Sequence, residues 1–385
     1  MSSLYWFISA PGSPTKKDTL NKVKEKLESS SSDLGEVLPI NLPDFKVGTL
    51  DTLYVLSDEL QKHDASVESI ALKIAENFKG LLQNNIDAWK NSLTVGDKSV
   101  DQFLKTFQWN TMKYRVDKSL KDLTDVILQE VNSIDALMKN KIQAYTQMKG
   151  QLQSLQRKQT GNLAVRSLND VVKREYFVLD SEYLTTILVA VPKSLVDDWK
   201  AKYESLTQMV VPRSSQCIAE DEEYALYTVT LFQRVVEEFT IKARENKYVF
   251  IVRDYKWNEE QMQKEKKELS EAGASEKEQS ATLQRLCKTN FGEIFSCWIH
   301  LKAIRVFVES ILRHGLPPNS QAMMIKVKPK HARKARDALN ALFAYLDVGG
   351  NAKDKGYEGM EESLTMLIGD KDYAPFVLFK IDTPY

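Results

Sequence analysis

The stretch LQRLCKTNFGEIFSCWIHLKAIRVFVESILRHGLPP, from Leu283 to Pro318, decides the fold that the sequence predicts. Its apolar side chains recur at steps of three and four residues, which places them in one stripe along a helix. A second apolar set widens this stripe until little of the helix surface is polar. Because such a helix has no face to turn toward water, we expect other elements to surround it. The stripe consists of Phe291, Ile294, Trp298, Leu301, Ile304, Val308, Ile311 and Leu312, widened by Phe295, Ile299, Val306 and Phe307.

The end of this core helix is marked by its last residues. Arg313 and His314 carry or can carry positive charge, which suits the negative end of the helix dipole. Gly315 can adopt the left-handed conformation that closes a helix, and the prolines at 317 and 318 prevent continuation. Cys287, Cys297 and His300 also lie in this stretch, and we interpret them as core residues rather than as ligands.

Length and composition predict an ordinary cytosolic protein of two domains. The 385 residues exceed the size at which a single core usually suffices. The 53 Lys and Arg residues equal the 53 Asp and Glu residues, so any binding to nucleic acid or anionic lipid has to come from a local patch. No run approaches the roughly twenty apolar residues of a membrane span. Three cysteines without CxxC spacing indicate reduced thiols and therefore the cytosol.

Two long helical segments are predicted between these domains. Residues 118–158 contain no proline and carry a narrow, coiled-coil-like apolar seam, which predicts a helix of about 60 Å. A helix of that length has to leave one body and reach another. Residues 258–285 are highly charged, and we interpret them as a mostly helical return strut with a weak point at Gly273. A disordered linker also fits this composition.

The residues between the two struts predict a self-contained unit. Its elements alternate as strand, helix, strand, strand, helix and strand, which is the ferredoxin-like, split βαβ pattern. An additional helix at 167–177 is expected to precede them. The predicted strands are 184–191, one within 209–219, 223–232 and one within 248–257, and the predicted helices are 193–206 and 234–247.

The chain ends supply strands to a second body. LYWFIS (4–9) and FVLFKI (376–381) are rich in aromatic residues, and neither has a local partner for its backbone groups. We therefore predict that the last strand joins the amino-terminal body. A helix at 16–29, a strand at 323–330 and a helix at 331–346 are expected to belong to the same body.

The region before the first long helix is predicted as mixed structure. Residues 50–56 have the composition of a strand, and Ser57 is then expected to cap a helix that runs to about Trp89. Residues 98–111 bring Phe103, Phe107 and Trp109 together at helical spacing, which is typical of core packing.

The predicted fold class is therefore α+β, mostly helical, with an elongated head–neck–foot architecture. Residues 1–118 and 283–385 form a discontinuous foot domain. Residues 119–160 and 256–282 form an antiparallel helical neck, and residues 161–255 form the ferredoxin-like head.

Catalytic and cofactor motifs are missing from the sequence. It has no glycine-rich phosphate-binding loop followed by Lys-Ser/Thr, no HExxH motif and no GxSxG elbow. The four histidines are far apart, so a metal site is not expected. The sequence predicts a protein that is not an enzyme and binds no cofactor.

Two charged runs are the candidate partner-binding sites. The acidic run is Glu220, Asp221, Glu222 and Glu223; it lacks the alternating spacing of a calcium loop, so a solvated loop between two strands is the simpler interpretation. The basic run KVKPKHARKAR begins at Lys326 and contains no acidic residue. It fits a solvated helix start or a patch for an acidic protein, actin or RNA. Its charged residues are Lys326, Lys328, Lys330, Arg333, Lys334 and Arg336.

Several long, non-repetitive stretches resemble the C subunit of the vacuolar-type proton-pumping ATPase (V-ATPase). The resemblance spans essentially the whole chain, and the strut at 259–282 is its least recognisable part. The stretches are FKVGTLDTLYVLSDEL (45–60), FQWNTMKYRVDKSLKDL (107–123), RKQTGNLAVRSLNDVV (157–172), EYLTTILVAVPKSL (182–195), VVPRSSQCIAEDEEYALYTVTLF (210–232) and KAIRVFVESILRHGLPP (302–318).

The resemblance implies a non-catalytic subunit of the peripheral sector of this proton pump. It implies that the head engages a peripheral stalk made of the E and G subunits, and that the foot contacts a second stalk and the cytosolic domain of the a subunit in the membrane sector. It also implies reversible dissociation of the two sectors and a location on the cytosolic face of vacuolar, lysosomal or endosomal membranes. The family is linked to actin, which the basic run would contact. The alternative is a cytosolic RNA- or actin-binding scaffold protein.

Overall fold

The computed structural model describes residues 4–28, 33–179, 181–245, 250–346 and 374–383. The chain divides into two compact units. Unit 1 comprises Met1–Ile142 and Ala281–Tyr385, and unit 2 comprises Gln143–Ser280. The three-part division into foot, neck and head is finer than this and stays a prediction.

The helices have the following bounds. They are α1 Lys16–Glu28, α2 Leu50–Leu81, α3 Ile86–Ser92, α4 Val100–Lys105, α5 Leu120–Gln159, α6 Val196–Lys202, α7 Val236–Glu245, α8 Glu259–His314 and α9 Ala332–Leu342. The strands are β1 Leu4–Pro11, β2 Gly35–Ile40, β3 Thr94–Val95, β4 Lys98–Ser99, β5 Leu184–Pro192, β6 Gln216–Glu220, β7 Tyr224–Phe232, β8 Ile251–Arg253, β9 Ser320–Val327 and β10 Val377–Asp382.

Both chain ends contribute to the sheet of unit 1, as the sequence predicts. Its strand order is β10-β1-β9-β2, and all neighbouring strands are antiparallel. β10 pairs with β1 from Leu4 opposite Asp382 to Ser9 opposite Val377, so each terminal strand satisfies the backbone groups of the other. The predicted pairing of the last strand with the amino-terminal body is confirmed.

Unit 2 contains a second four-stranded antiparallel sheet with the order β6-β7-β5-β8. Trp199 of α6 and Phe239 of α7 are both fully buried in one core cluster with sheet residues such as Val189 and Val229. Both helices therefore cover the same face of this sheet. The predicted succession of strand, helix, strand, strand, helix and strand is present.

The core helix of the sequence is the carboxyl-terminal half of α8. From Phe291 onward most of its side chains are buried, including Trp298 and Ile304. The helix ends at His314, and Gly315 follows with a φ of +82°, a value that favours glycine. Gly292 has a different function: a Cβ there would lie 2.7 Å from the Thr94 carbonyl oxygen, so only glycine allows this close approach.

Both predicted long helical segments are present, and the segment predicted at 258–285 joins the core helix in one continuous helix, α8. α5 has 40 residues and α8 has 56 residues. The charged segment that also fitted a disordered linker is helical from Glu259, and the helix continues through Gly273. Among the described residues, no helix combines the length and the apolar character needed to cross a bilayer.

The predicted strand at residues 50–56 is wrong, because these residues form the first turns of α2. The side chain of Thr49 accepts a hydrogen bond from the Thr52 backbone N–H and caps the helix there. Ser57, which was expected to be the cap, lies inside α2, and its hydroxyl donates to the carboxylate of Glu309. The residues expected as a strand instead place Leu53 and Leu56 on the buried side of the helix.

The predicted helix at 167–177 is also wrong, since only a single 3₁₀ turn forms at Arg174–Tyr176. Further along the chain, the guanidinium of Arg253 donates to the carbonyl oxygens of Ala164, Val165 and Arg166. These bonds fix the backbone of residues 164–166, directly before the predicted helix, in a turn. Similarly, the predicted helix at 98–111 is limited to α4.

Candidate functional site

Helices α1 and α9 lie next to each other on one face of the unit 1 sheet. Val23 and Leu27 of α1 and Leu339 of α9 are fully buried in the same core cluster as Ile325 of β9. Their apolar sides point into this cluster, so their outward sides form one continuous surface. That surface contains most of the basic run singled out in the sequence.

Two members of the basic run lie at the end of β9 and are paired. The Lys326 ammonium lies 2.5 Å from the Asp101 carboxylate, which also accepts a hydrogen bond from the Tyr5 hydroxyl. Lys328 forms an ion pair with Asp33. These two lysines are therefore less available to a partner than the sequence suggested.

The other four members lie just before α9 or on it. Lys330, Arg333 and Lys334 are exposed, and Arg336 is half-buried. No side chain caps the amino terminus of α9, and its first turn contains no acidic residue. Positive charge at this end of a helix opposes the helix dipole, so stability of the helix does not account for it.

The structure adds the lysines of α1, which the sequence analysis did not single out. We call α1 together with residues 329–342 the basic face. It contains nine Lys or Arg residues against four acidic residues, a net charge of +5, whereas the whole chain has a net charge of zero. Five lysines in the thirteen residues of α1 were the available signal, but only the tertiary structure places α1 beside α9. The nine are Lys16, Lys17, Lys22, Lys24, Lys26, Lys330, Arg333, Lys334 and Arg336.

The acidic run lies in unit 2, at the end of β6 and in the turn to β7. Asp221 accepts hydrogen bonds from the backbone N–H groups of Leu163, Glu223 and Tyr224 at 2.6–2.9 Å. Burial acts to raise the pKa of this carboxyl, but the three N–H bonds outweigh it, so the pKa lies below its ordinary value. Asp221 therefore holds the turn together.

The remaining acidic residues of this run have local contacts or face solvent. Glu223 accepts a hydrogen bond from the Asn162 side chain at 2.7 Å, and Glu220 lies 4.0 Å from Lys193. Glu222 is exposed. No group of three or more metal-binding side chains that could hold an ion occurs among the residues described. The geometry of this run thus indicates a structural turn.

A buried polar cluster in unit 1 contains residue types that are found in active sites. Tyr114 OH lies 3.4 Å from the Cys297 sulfur and donates to Glu130 at 3.1 Å. Burial raises the pKa of Cys297 to about 12, and it also raises the pKa of Tyr114. A thiol that stays protonated is a poor nucleophile, so the chemistry of this cluster favours packing over catalysis.

His300 belongs to the same cluster, since its ring centroid lies 4.9 Å from that of Tyr114. Its Nδ1 lies 2.7 Å from the Ser296 carbonyl oxygen, so Nδ1 carries the proton, and Nε2 accepts the Asn110 backbone N–H at 3.2 Å. The rings of Phe107 and Trp109 each lie 5.1 Å from the imidazole. Burial lowers the pKa of His300 to about 4.

We expect His300 to make folding stability depend on pH in acid. Its pKa is lower in the folded chain than the ordinary value of 6.5. The unfolded chain therefore binds more protons, and stability present above about pH 6.5 is lost as the pH falls toward 4, by at most about 1.4 kcal/mol per pH unit. Urea unfolding of His300→Gln should show a flatter pH dependence across this range. His63→Gln, at a half-buried position of α2, is the matched control. If the unfolding free energy of the wild type, His300→Gln and His63→Gln depends equally on pH, His300 is not the group responsible.

A charged network lies at the centre of unit 1, between α2 and α8. The Asp64 carboxylate accepts from the Trp298 indole N–H at 2.7 Å, from Lys302 at 2.9 Å and from Arg305 at 2.7 Å. Asp64 and Lys302 are each 3% exposed. The three donors follow one side of α8, so the network fixes the contact of the two helices. Lys302, which directly follows Leu301 of the apolar stripe, was the available signal for it in the sequence.

Comparison with known proteins identifies the family. The family model for the C subunit of V-ATPase matches residues 5–377. The chain is 44% identical over 380 residues to the V-type proton ATPase C subunit of Manduca sexta, covering 99% of this chain and 98% of that protein. It is 42% identical over 378 residues to the V-type proton ATPase C 1-A subunit of Danio rerio, covering 98% and 97%. The chain belongs to the V-ATPase C-subunit family.

Membership of the V-ATPase C-subunit family agrees with the resemblance found in the sequence. The chain is accordingly a peripheral subunit of a V-type proton ATPase and serves proton transport. The two relatives named above are not described as RNA- or actin-binding proteins, so the alternative of an RNA- or actin-binding scaffold receives no support. A crystal structure of the cytoplasmic N-terminal domain of the I subunit, a homolog of the V-ATPase a subunit, covers 100% of both chains with a TM-score of 0.31 and 12% identity, too low to indicate a common fold.

Proposed function

We propose that the chain bridges separate parts of the V-type proton ATPase. In this proposal the head, residues 161–255, engages a peripheral stalk made of the E and G subunits. The foot, built from both chain ends, contacts a second stalk and the cytosolic domain of the a subunit. The neck helices keep these attachments in one covalent frame.

The continuity of α5 and α8 is the observation that carries this proposal. α5 continues across the boundary of the two units at Ile142, and α8 continues across it at Ser280. At 1.5 Å per residue their 40 and 56 residues correspond to about 60 Å and 84 Å of helix. A helix without a break transmits force along its axis, which suits a connection that resists the torque of rotary catalysis.

The sheet of unit 2 supports a ferredoxin-like head. In the split βαβ arrangement the third strand lies between the first and the second, and the fourth lies outside the first. The observed order β6-β7-β5-β8 has this relation. The sheet of unit 1 has the same relation in β10-β1-β9-β2, with α1 and α9 in the helix positions. Each unit thus has its own four-stranded sheet, whose strands pair only within that unit, and each can carry its own interface.

The proposed cellular role follows from the family and the frame. We place the chain on the cytosolic face of vacuolar, lysosomal or endosomal membranes when the pump is assembled. Its interfaces are expected to be separable, since reversible dissociation of the pump requires that the bridge can be released. Several modest interfaces in one frame give a strong attachment that can still be undone stepwise.

Binding of a fragment containing unit 2 to an E–G heterodimer tests the proposal. We expect residues 143–280, expressed alone, to fold, because all four strands of their sheet pair with one another. By titration calorimetry this fragment should bind the E–G pair almost as tightly as the whole chain. Circular dichroism provides the control for folding. A folded fragment that gives no binding heat, while the whole chain binds, would refute the assignment of this stalk to the head.

A further inference from the structure

We propose that the basic face of unit 1 binds an anionic lipid surface. The basic face consists of α1 and residues 329–342, as defined above. The basic face has a net charge of +5, whereas the whole chain has a net charge of zero. The rest of the chain therefore carries a net charge of −5. A segment with several lysines and arginines on one side is attracted to negatively charged lipid headgroups. This inference does not depend on which stalks the chain bridges.

Most cations of the basic face have no acidic partner. In the part of the chain that the structure describes, no ion pair involves Lys16, Lys17, Lys24, Lys330, Arg333 or Lys334. This differs from the neighbouring surface, where Lys105 lies 2.6 Å from Glu36 and Lys326 is paired. The positive potential of the basic face is therefore not cancelled within the face itself.

The helix terminus in this face favours an anionic occupant as well. Lys330, Arg333 and Lys334 surround the amino terminus of α9, which lacks a side-chain cap. Positive side chains and the positive end of the helix dipole repel one another there. Negative headgroups near this end would relieve the repulsion and interact favourably with the positive end of the helix dipole.

The composition of the basic face favours a lipid surface over an acidic protein. Stable protein interfaces are anchored by buried aromatic or large apolar side chains. Among the described residues of the basic face, none is a large hydrophobic residue with high exposure; the nearest, Tyr345, lies beyond the end of α9. Seven of its nine cations are lysines, which are flexible point charges rather than bidentate binders. Spread over two helices, they fit a diffuse anionic surface.

RNA fits the basic face less well than lipid does. Proteins that bind single-stranded RNA stack bases on exposed aromatic side chains between their basic residues. α1 contains no aromatic residue, and neither does α9. The basic face therefore provides charge without a stacking platform.

Vesicle flotation with the full-length chain tests the inference. We compare vesicles of pure phosphatidylcholine with vesicles of phosphatidylcholine and phosphatidylserine at low and high ionic strength. The test variant carries Lys17→Gln, Lys24→Gln, Arg333→Gln and Lys334→Gln. The matched control removes four exposed lysines of α5 and α8 instead, by Lys121→Gln, Lys141→Gln, Lys149→Gln and Lys264→Gln.

We expect the wild-type chain and the control to float with the anionic vesicles at low salt and not with neutral vesicles. Each cation near such a surface contributes about a fivefold change, so loss of the four cations should weaken binding of the test variant by roughly several hundredfold. High salt should weaken binding of the wild type, because the Debye length shortens to about 3 Å at 1 M.

Three outcomes would overturn the inference. One is that the wild type floats equally well with neutral and anionic vesicles, or floats with neither kind. Another is that the test variant and the control lose binding equally, which would indicate a non-specific charge effect. The third is salt-sensitive capture of the wild type by immobilised polyglutamate without any vesicle binding, which would assign the face to an acidic protein. E–G binding of the same proteins, measured separately, shows whether the bridging proposal survives.

Discussion

Replacing Asp64 with alanine is expected to lower the free energy of unfolding by about 3–5 kcal/mol, the largest stability loss that we predict for a single substitution. The reason is the burial of its partners. Lys302 is 3% exposed, and the Lys302 side chain and the guanidinium of Arg305 would lose the carboxylate that accepts hydrogen bonds from both. The indole N–H of Trp298 would also lose its acceptor.

The surroundings of Asp64 give little compensation for this loss. Glu68 is close enough to sense the network: burial raises its pKa, Lys302 opposes this effect, and Asp64 adds to it. The ring of Phe379 lies 4.1 Å from the Arg305 guanidinium carbon, but a ring face replaces a carboxylate only in part. Lys302 would therefore remain buried, and Arg305 half-buried, without a full counter-charge.

Urea unfolding followed by circular dichroism measures the effect of Asp64→Ala. Asp58→Ala, an exposed position on the same helix, is the matched control and should change stability by no more than about 0.5 kcal/mol. The triple variant Asp64→Leu, Lys302→Met, Arg305→Met should recover much of the lost stability, since it removes the unpaired charges together with their partner. A loss for Asp64→Ala no larger than that for Asp58→Ala would show that the network is unimportant.

The sequence predicts the long elements of this fold because their signals are local. Periodicity over many residues identifies α5 and α8, and the apolar character of the terminal strands indicates that they need partners. The prediction from sequence is wrong at residues 50–56, where Leu, Tyr and Val favour a strand but the chain forms a helix. There the decisive facts are the capping hydroxyl of Thr49 and the core that buries Leu53 and Leu56. Whether a side chain caps a helix depends on backbone conformation, which composition does not show.

Tertiary contacts also explain why the predicted helix at 167–177 does not form. Residues 167–177 have helical composition, but Asn169 donates to Glu265 at 2.5 Å and Asp170 lies 3.3 Å from Lys266. Together with the bonds that Arg253 makes to the preceding carbonyl groups, these contacts favour an irregular segment. Its partners lie more than eighty residues away in sequence, so no local pattern indicates them.

The candidate site was predictable in part for the same reason. The basic run is contiguous in sequence, and four of its six charged residues do lie just before α9 or on it. The pairing of Lys326 with Asp101 could not be predicted, because β9 and α4 meet only in the folded chain. The contribution of α1 was missed because it depends on two helices more than three hundred residues apart covering the same sheet.

Separating the two bodies is expected to weaken attachment to the pump by about a hundredfold or more, if the chain is a bridge. Two interfaces in one covalent frame raise the effective concentration of the second once the first is engaged. A mixture of separate fragments lacks this gain, although each fragment keeps all its contacts. The predicted loss thus comes from connectivity alone.

The structure suggests where the chain can be divided. One fragment is residues 143–280. The other joins Ile142 to Ala281 through a short Gly/Ser linker, which is feasible because Asn290 of α8 lies 3.0 Å from the Met138 sulfur of α5, so the two helices are adjacent within unit 1. Recovery of the membrane sector on immobilised peripheral sector, measured against the concentration of added protein, compares the mixture with the intact chain.

The control for this comparison is an intact chain with four Gly/Ser residues inserted between Gly349 and Gly350, outside both long helices. It should restore sector association at the concentration that suffices for the wild type. The fragment mixture should need about a hundredfold more, because covalent connection through α5 and α8 no longer couples its two binding events. If the mixture works as well as the intact chain, its two bodies act independently, and bridging is not how this protein holds the sectors together.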